Sequence, residues 1–446
     1  MKIQAAGGFP LILLASGALT APCSASGFRI EGQDARACGA AHAGPPARAA
    51  DAGFAVYNPA TLAGVDRFDF SGTSTGLIVD SAYTNASGVL LGVYPTPGET
   101  SGEGPLADAY FPSMGLGVRL SNRLVVGMSL NAPFGLKSQY GPESALRYHA
   151  QTSELKTIAA TPMAAFSVTP TFAVAAGLRI QYADLSITAA SDASGIALAS
   201  SLGAFEPGTE DVYVDFNADD FAVGFVAGLQ AQLMPGLTFG VSYTSKIDHD
   251  FDGEAKFDLA GSLAGEALAG FGLFQSGPAF ASLSTPALVE FGAVYSLTER
   301  LDFLASASLS RWSSFESIAI SFENPAQPDD VLTQNWKDSW AVSVGAEYRA
   351  TAKTTLRAGV MRDDSPLNDA FASPRIADAD RLWLSAGVSR DLTERWSADV
   401  GGAVLFFEDR HYDLPGTLPE TLFRGSIEAT GSATAFILSA RVRRSF

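Results

Sequence analysis

The chain has 446 residues, a formal charge of -18 from 29 basic against 47 acidic side chains, and 47% hydrophobic residues; its mean hydropathy is +0.15. A chain this acidic repels a polyanion, which excludes nucleic acid as a partner. Beyond the N-terminus no run of some twenty apolar residues offers a membrane helix, so any membrane crossing has to be made by strands.

Lys2 precedes an apolar stretch from Phe9 to Leu19 and a small-residue end, Cys23-Ser24-Ala25. About ten apolar residues are too few for a membrane helix, and the pattern reads as a secretory signal peptide over residues 1–25, cut after Ala25. The competing reading, a lipid-anchored Cys23, requires a small residue where Pro22 stands. Cutting at Ala25 leaves Cys38 without a partner, so no disulfide staples the fold despite the oxidising route of export.

Residues 26–67 are rich in Ala and Gly, do not alternate, and end in Asn58-Pro59-Ala60. A connection of this length is uncommon unless functional or disordered. In a wide barrel such a segment folds inward as a plug that closes the lumen. A disordered periplasmic tail is the alternative, and the many Ala and few acidic or Lys residues argue against it.

From Phe68 onward period-two alternation dominates. A first strand runs from Phe68 to Val79 and a long connection from Asp80 to Tyr110. Leu116, Val118 and Leu120 then meet Leu124, Val126, Met128 and Leu130 across Ser121-Asn122-Arg123. That strand runs into Ala132-Pro133-Phe134-Gly135-Leu136, where proline cannot donate a ladder hydrogen bond and glycine marks a bulge, so pairing should fail. An ordinary strand end at the external rim is the other reading. Phe166 and Val168 precede the turn Thr169-Pro170-Thr171, and Phe172, Val174, Ala176, Leu178 and Ile180 follow it.

The clearest pair joins Val223, Phe225, Ala227, Leu229, Ala231 and Leu233 to Leu237, Phe239, Val241 and Tyr243 through Met234-Pro235-Gly236. The opposite face, Gly224, Val226, Gly228, Gln230 and Gln232, suits a wetter interior. Long connections at Ser191–Tyr213 and Glu254–Thr285 flank this pair. Two stretches within them, Gly195–Phe205 and Phe257–Leu283, are unusually apolar for exposed segments, and such patches mark interaction sites. Leu259, Leu263, Phe271 and Phe274 are the candidate ligand-binding residues there. Helices packing on one another are a second reading, compatible with the first.

Tight turns recur at Thr298-Glu299-Arg300, Thr351-Ala352-Lys353 and Leu392–Arg395. In the last strand Phe436, Leu438, Ala440, Val442 and Phe446 share one face, and Ser439, Arg441, Arg443 and Ser445 the other. Short and long connections therefore alternate, giving about fourteen strands, an even number that leaves both ends on the periplasmic side. The expected fold is all-β: a transmembrane antiparallel β-barrel over residues 68–446 with an N-terminal plug. A soluble sandwich rarely sustains ten-residue strands with this alternation.

Ser26-Gly27-Phe28, Asp51-Ala52-Gly53 with Asn58-Pro59-Ala60, Asp363-Asp364-Ser365-Pro366 and Asp380-Arg381-Leu382-Trp383-Leu384-Ser385 resemble the FadL family of outer-membrane transporters for long-chain fatty acids and other hydrophobic compounds. The similarity spans essentially the whole mature chain. It implies fourteen strands, an N-terminal hatch held by Asn58, Pro59 and Ala60, Phe28 in a high-affinity pocket, and capture of ligand on the external loops. It also implies that the break at Pro133, Phe134 and Gly135 opens the wall sideways, with Gly228 facing that gap. Where the family places basic residues against a carboxylate this chain has Ile187 and Leu332, leaving Arg179, Arg357, Lys337 or Arg381 as substitutes, or an uncharged hydrocarbon as cargo. The terminal Phe446 resembles the signal read by the barrel assembly machinery.

Catalytic and metal chemistry lack support in the sequence. His42, His149, His249 and His411 form no metal-spaced pair, and Asp248–Gly253 begins like a calcium loop whose twelfth position is Leu259 in place of the required Glu. His249 beside acids has no Ser partner set by spacing. The expected function is therefore passive, cofactor-free uptake of hydrophobic compounds, with outer-membrane lipid and lipopolysaccharide as surroundings. A diffusion porin for polar solutes is the alternative, and a non-transporting adhesin or structural barrel a third class.

Overall fold

The computed structural model describes residues 27–418 and 421–446. The expected signal peptide, Cys23 and Ser26 lie outside the described residues.

Fourteen strands form the wall. The first four are β1 (Phe68–Ser87), β2 (Ala109–Arg119), β3 (Leu124–Asn131 and Gly135–Gln139) and β4 (Thr152–Thr169). Next come β5 (Phe172–Asp192), β6 (Asp211–Met234), β7 (Leu237–Thr244 and Ile247–Asp258) and β8 (Gly277–Thr285 and Ala287–Ser296). β9 (Leu301–Arg311 and Ser317–Phe322), β10 (Asp330–Thr333 and Ser339–Thr351) and β11 (Thr354–Asp363) follow. β12 (Arg381–Asp391), β13 (Trp396–Phe407 and Arg410–Leu414) and β14 (Ile427–Ser445) complete the set. Each pairs antiparallel with the next, and β1 closes on β14 in unbroken register from Asp69↔Ser445 to Thr84↔Thr430. Closure of β1 on β14 removes the two end edges that an open sheet would expose to lipid.

The alternation sorts the two faces as the sequence suggests. On β6, Phe221, Val223, Phe225 and Leu233 point outward and are exposed, while Val226 and Gln230 point inward and are buried. The expected segment ends move, however. β1 continues past Val79 to Ser87, and Phe257, Phe280 and Leu283 belong to β7 and β8 instead of a loop. The alternating small and large residues of Gly277–Thr285 carry little hydrophobic contrast, so the strand is hard to distinguish from an apolar loop by pattern.

Residues 27–67 fill the barrel and are almost wholly buried, which sets aside the disordered tail. They fold as α1 (Ala35–Cys38) and three short 3-10 turns, Pro45–Ala47, Ala52–Val56 and Pro59–Gly64. Asp34, Asp51 and Asn58 each accept hydrogen bonds from the first-turn amides that they cap, a task for which short polar side chains are suited. Two further helices, α2 (Ala193–Ala199) and α3 (Leu263–Ala269), lie in the long connections.

The hatch rests on glycines. Gly240 and Gly292 are register partners across β7 and β8, and a Cβ on Gly292 would stand 2.7 Å from Pro46 Cδ and 3.1 Å from the Ala47 amide nitrogen. Gly387 of β12 lies against Gly39, where a Cβ would come within 2.9 Å of the Gly39 Cα. Backbone therefore packs on backbone, and the inner wall accepts the plug because it lacks side chains at these points.

Candidate functional site

The wall is incomplete in one place. β2 and β3 pair between Met114↔Leu130 and Arg119↔Val125, and the chain just before β2 rejoins β3 only at the bridge Leu106↔Ser138, where Gln139 N donates to Pro105 O at 2.7 Å, so β3 lacks this neighbour from Asn131 to Leu136. Its ladder with β4 shifts by one residue between Asn131↔Ala159 and Gly135↔Lys156, as a bulge requires. Thr157 bridges the irregularity: Phe134 N donates to its hydroxyl at 2.9 Å, and the hydroxyl donates to Phe134 O at 2.7 Å.

The hatch occupies the vacated edge. Ile30 N donates to Pro133 O at 2.9 Å, Gly135 N donates to Phe28 O at 2.8 Å, and Arg29 forms an antiparallel bridge with Phe134. Residues 28–30 thus act as a short replacement strand that satisfies backbone groups that would otherwise be orphaned. Removing these residues would expose the gap between β2 and β3.

Phe28 itself is 1% exposed and enters an aromatic box. Its ring lies 4.5 Å from Trp312, 5.5 Å from Phe315, 5.7 Å from Trp336 and 6.0 Å from Phe134. Trp312 and Phe315 come from the interruption of β9 and Trp336 from that of β10, so two further breaks in strand regularity turn aromatics inward. Gly27 fits because its φ is +71° and a Cβ would strike Trp312 at 2.8 Å. Above the box the lumen is lined by Leu136, Leu155, Leu185, Ile187, Phe216 and Leu332, all within one buried apolar cluster.

Buried charges tie the hatch to the wall. Arg29 pairs with Glu290 at 2.6 Å and Arg48 with Glu347 at 2.8 Å. Arg441 of β14 is held between Asp34, at 3.2 Å, and Asp51. Asn58 is fully buried; its amide nitrogen donates to Pro46 O at 2.7 Å and to Leu229 O at 2.9 Å. Pro59 and Ala60 continue the same capped turn. Gly228 lies beneath this turn, with a hypothetical Cβ within 3.0 Å of Pro59 Cδ. Gly228 sits on β6, separated from β3 along the wall by β4 and β5, and a larger side chain there meets Asn58 and Pro59 first.

A family model described as outer membrane protein transport protein (OMPP1/FadL/TodX) matches residues 16–446. The chain belongs to this OMPP1/FadL/TodX family. Family membership and the closed barrel make it an outer-membrane protein. It is 24% identical over 401 residues to the long-chain fatty acid transport protein of Escherichia coli K12, covering 84% of this chain and 86% of that protein. A putative outer membrane protein of Neisseria meningitidis is 25% identical over 430 residues, with 90% of each chain covered. Among solved structures, a FadL homologue of Pseudomonas aeruginosa superimposes with a TM-score of 0.87 at 24% identity, over 94% of this chain and 100% of that one. The toluene transporter TodX of P. putida gives a TM-score of 0.67 at 15% identity, covering 94% and 99%.

Within this OMPP1/FadL/TodX barrel, the basic residues weighed as carboxylate partners behave differently from one another. Arg357 is neutralised by Glu347 at 2.8 Å and Arg381 by Asp363 at 2.6 Å; Lys337 is exposed. Arg179 is buried and stacks 5.9 Å above Phe134, and its Nε and Nη2 find no acceptor among the described residues. Ile187 and Leu332 are indeed apolar lining. Sequence reasoning missed Arg375, a buried arginine in the connection between β11 and β12. It also missed Asp378, which accepts the Gly27 amide at 3.0 Å and the Ser365 hydroxyl at 2.8 Å. Burial, opposed by Arg381 and these donors, raises the Asp378 carboxyl to about 7.

The external candidates divide. Phe274 is buried and Leu259 partly so, inside a cluster with Ala193, Ala197, Ala264 and Leu268 that packs α3 on α2. Leu263 and Phe271 are 66% and 69% exposed. The first pair holds the helices together and the second presents an apolar surface outward. His249 is bound by Asp220 at 2.8 Å and Gln181 at 2.9 Å, so its neighbours are a carboxylate and an amide, with no hydroxyl nucleophile in the set. No group of metal-ligating residues occurs among the described residues.

Proposed function

We propose that this protein carries hydrophobic compounds passively across the outer membrane, without a cofactor and without catalysis. The observation that carries the reading is the replacement strand: hatch residues 28–30 complete the wall between β2 and β3 while Phe28 fills an aromatic box at the foot of an apolar lumen. A compound captured on Leu263 and Phe271 descends the lumen, displaces Phe28 from its box, and draws residues 28–30 off Pro133–Gly135. It then leaves sideways into the bilayer without crossing water. The energetics suit a reversible gate, because a buried aromatic ligand replaces the contacts that Phe28 loses. Relatives named for long-chain fatty acid and toluene transport support both cargo classes.

Uptake of labelled oleate and of toluene by a deletion strain carrying this chain tests the reading. Uptake above the empty-vector level is expected for at least one of them; none for either refutes it. A diffusion porin would conduct ions steadily in planar bilayers, whereas this plugged barrel is expected to stay quiet. We further assign residues 1–25 to a signal removed on export and the terminal strand ending at Phe446, which packs on Phe68 at 5.7 Å, to recognition by the barrel assembly machinery. Outer-leaflet lipopolysaccharide surrounds the exposed acidic face of β7 at Asp248, Asp250 and Asp252.

A further inference from the structure

A lipid-facing arginine ends the apolar column of β14. Phe436, Leu438 and Val442 are exposed on the outer face of that strand, and Arg444 continues the same face at the short-turn end of the barrel, which in outer-membrane barrels is the periplasmic end. It is the register partner of Trp396 on β13 and of Phe70 on β1. Its guanidinium carbon stands 4.4 Å from the centre of the Phe446 ring and 5.1 Å from that of Trp396. Arg395, in the turn between β12 and β13, covers the same Phe446 ring at 5.0 Å. Backbone hydrogen bonds fix this grouping: Ser445 N donates to Arg395 O at 3.0 Å and Phe446 N to Phe68 O at 2.9 Å.

The protein answers neither charge. Nε of Arg444 is covered by protein and finds no acceptor, and neither guanidinium forms an ion pair among the described residues, either with Asp391 and Glu394 of the same turn or with the terminal carboxylate. Arg443, on the opposite face of the strand, contrasts with them, since it pairs with Asp69 at 2.6 Å. Stacking on an aromatic face orients a guanidinium and leaves its N–H edges free to bind. At this height on a wall in lipid, a long cationic side chain reaches the headgroup layer. The anion available there is the phosphate of a phospholipid, whose oxygens match the planar fork.

We propose that Arg395 and Arg444, stacked on the Phe446 ring, bind the headgroup of an anionic phospholipid of the periplasmic leaflet, phosphatidylglycerol in kind, with an acyl chain along Val442 and Leu438. Trp396 supplies the amphipathic ring that favours the boundary between headgroup and chain. The site lies on the seam where β1 closes on β14, so lipid is held where the first and last strands meet. It concerns the outer wall and holds whatever compound the lumen carries. Beside an anionic leaflet each arginine adds roughly fivefold in affinity, so the pair should favour phosphatidylglycerol over the zwitterionic phosphatidylcholine by about tenfold or more.

Native mass spectrometry of barrels titrated in detergent with phosphatidylglycerol or phosphatidylcholine tests the site. It compares wild type, an Arg395→Gln, Arg444→Gln double variant, and a control carrying Arg123→Gln and Arg300→Gln, exposed positions in two other short turns. All are refolded from urea, which keeps recognition by the assembly machinery out of the comparison, and an unfolding temperature equal to that of wild type without lipid reports a folded barrel. Wild type and control should prefer phosphatidylglycerol, and the double variant should bind the two lipids alike. Should the double variant not refold, the single variants carry the test, each losing about fivefold for phosphatidylglycerol. A preference unchanged in these variants, an equal loss in the control, or a wild type without preference would overturn the proposal. So would displacement of the lipid by an equal concentration of inorganic phosphate, which would make the cluster a free-anion site.

Discussion

Gly292→Ala places one methyl group where the hatch meets the wall. The new Cβ would stand 2.7 Å from Pro46 Cδ and 3.1 Å from Pro46 Cβ, against ordinary carbon contacts of about 3.5–4.0 Å. Pro46 is rigid, and Gly240, the partner of Gly292, holds it from the neighbouring strand, so the turn Pro45–Ala47 has to withdraw by roughly 1 Å. The 2.7 Å bond from Asn58 to Pro46 O is then stretched beyond a useful length. Overpacking costs about 1–3 kcal/mol and the weakened hydrogen bond about 1 kcal/mol. A loss near 3 kcal/mol raises the unseated population on the order of a hundredfold. Planar-bilayer recordings should therefore register frequent openings for Gly292→Ala and quiet membranes for wild type. Gly76→Ala, at a glycine with nothing within 4 Å of the added Cβ, is the matched control and should stay quiet. If Gly292→Ala is as silent as Gly76→Ala, and its hatch amides exchange with deuterium no faster, the glycine seat does not hold the plug.

Asp378 should make the wild-type fold pH-sensitive. Its native carboxyl is raised to about 7, so its contribution is complete below the ordinary carboxylate range and is lost as pH climbs to about 7, at up to ~1.4 kcal/mol per pH unit. Thermal unfolding in detergent should show that slope, and Asp378→Asn should remove it; an identical slope in both proteins contradicts the assignment. Arg441→Met strands the buried Asp34, while Asp51 keeps Arg36 at 3.1 Å, and should destabilise the hatch by about 3–5 kcal/mol, read as protease cleavage within residues 27–67, with Asp34→Asn partly restoring protection. A Leu263→Ser, Phe271→Ser double variant, altered only at exposed positions, should weaken capture of oleate by whole cells while leaving the unfolding temperature unchanged; unaltered capture would remove these loops from the route.

The strand arrangement was legible because lipid imposes a strict period of two, and short turns such as Met234-Pro235-Gly236 punctuate it. Proline at 133 located the wall break for a reason of the same kind, its missing amide donor. What the pattern did not reveal was the partner of that break. Residues 28–30 reach Pro133 and Gly135 across roughly a hundred positions, through backbone atoms that carry no sequence signature. Asn58, Pro59 and Ala60 were visible as a motif, whereas the contact of Gly228 with that turn was not, because a lumen-facing glycine looks the same beneath a hatch as beside an opening. The aromatic box escaped notice since Trp312, Phe315 and Trp336 appear as defects in alternation. Arg375 was hidden for the opposite reason: it lies in a connection, where an arginine is ordinarily solvated, and only the inward fold of that connection buries it.

The account depends on residues 28–30 leaving the wall when a hydrophobic compound passes. Arg29 and Phe134 are directly bridged antiparallel residues, a pairing whose Cα separation of about 4.5–5.5 Å is within the span of a disulfide, and Cys38 is too buried to interfere. Uptake of labelled oleate or toluene through an Arg29→Cys, Phe134→Cys barrel, measured oxidised and then reduced, isolates the movement in a single protein. Uptake arrested by the disulfide and restored by reduction is the predicted result. Equal uptake in the two redox states would contradict exit through the break between β2 and β3.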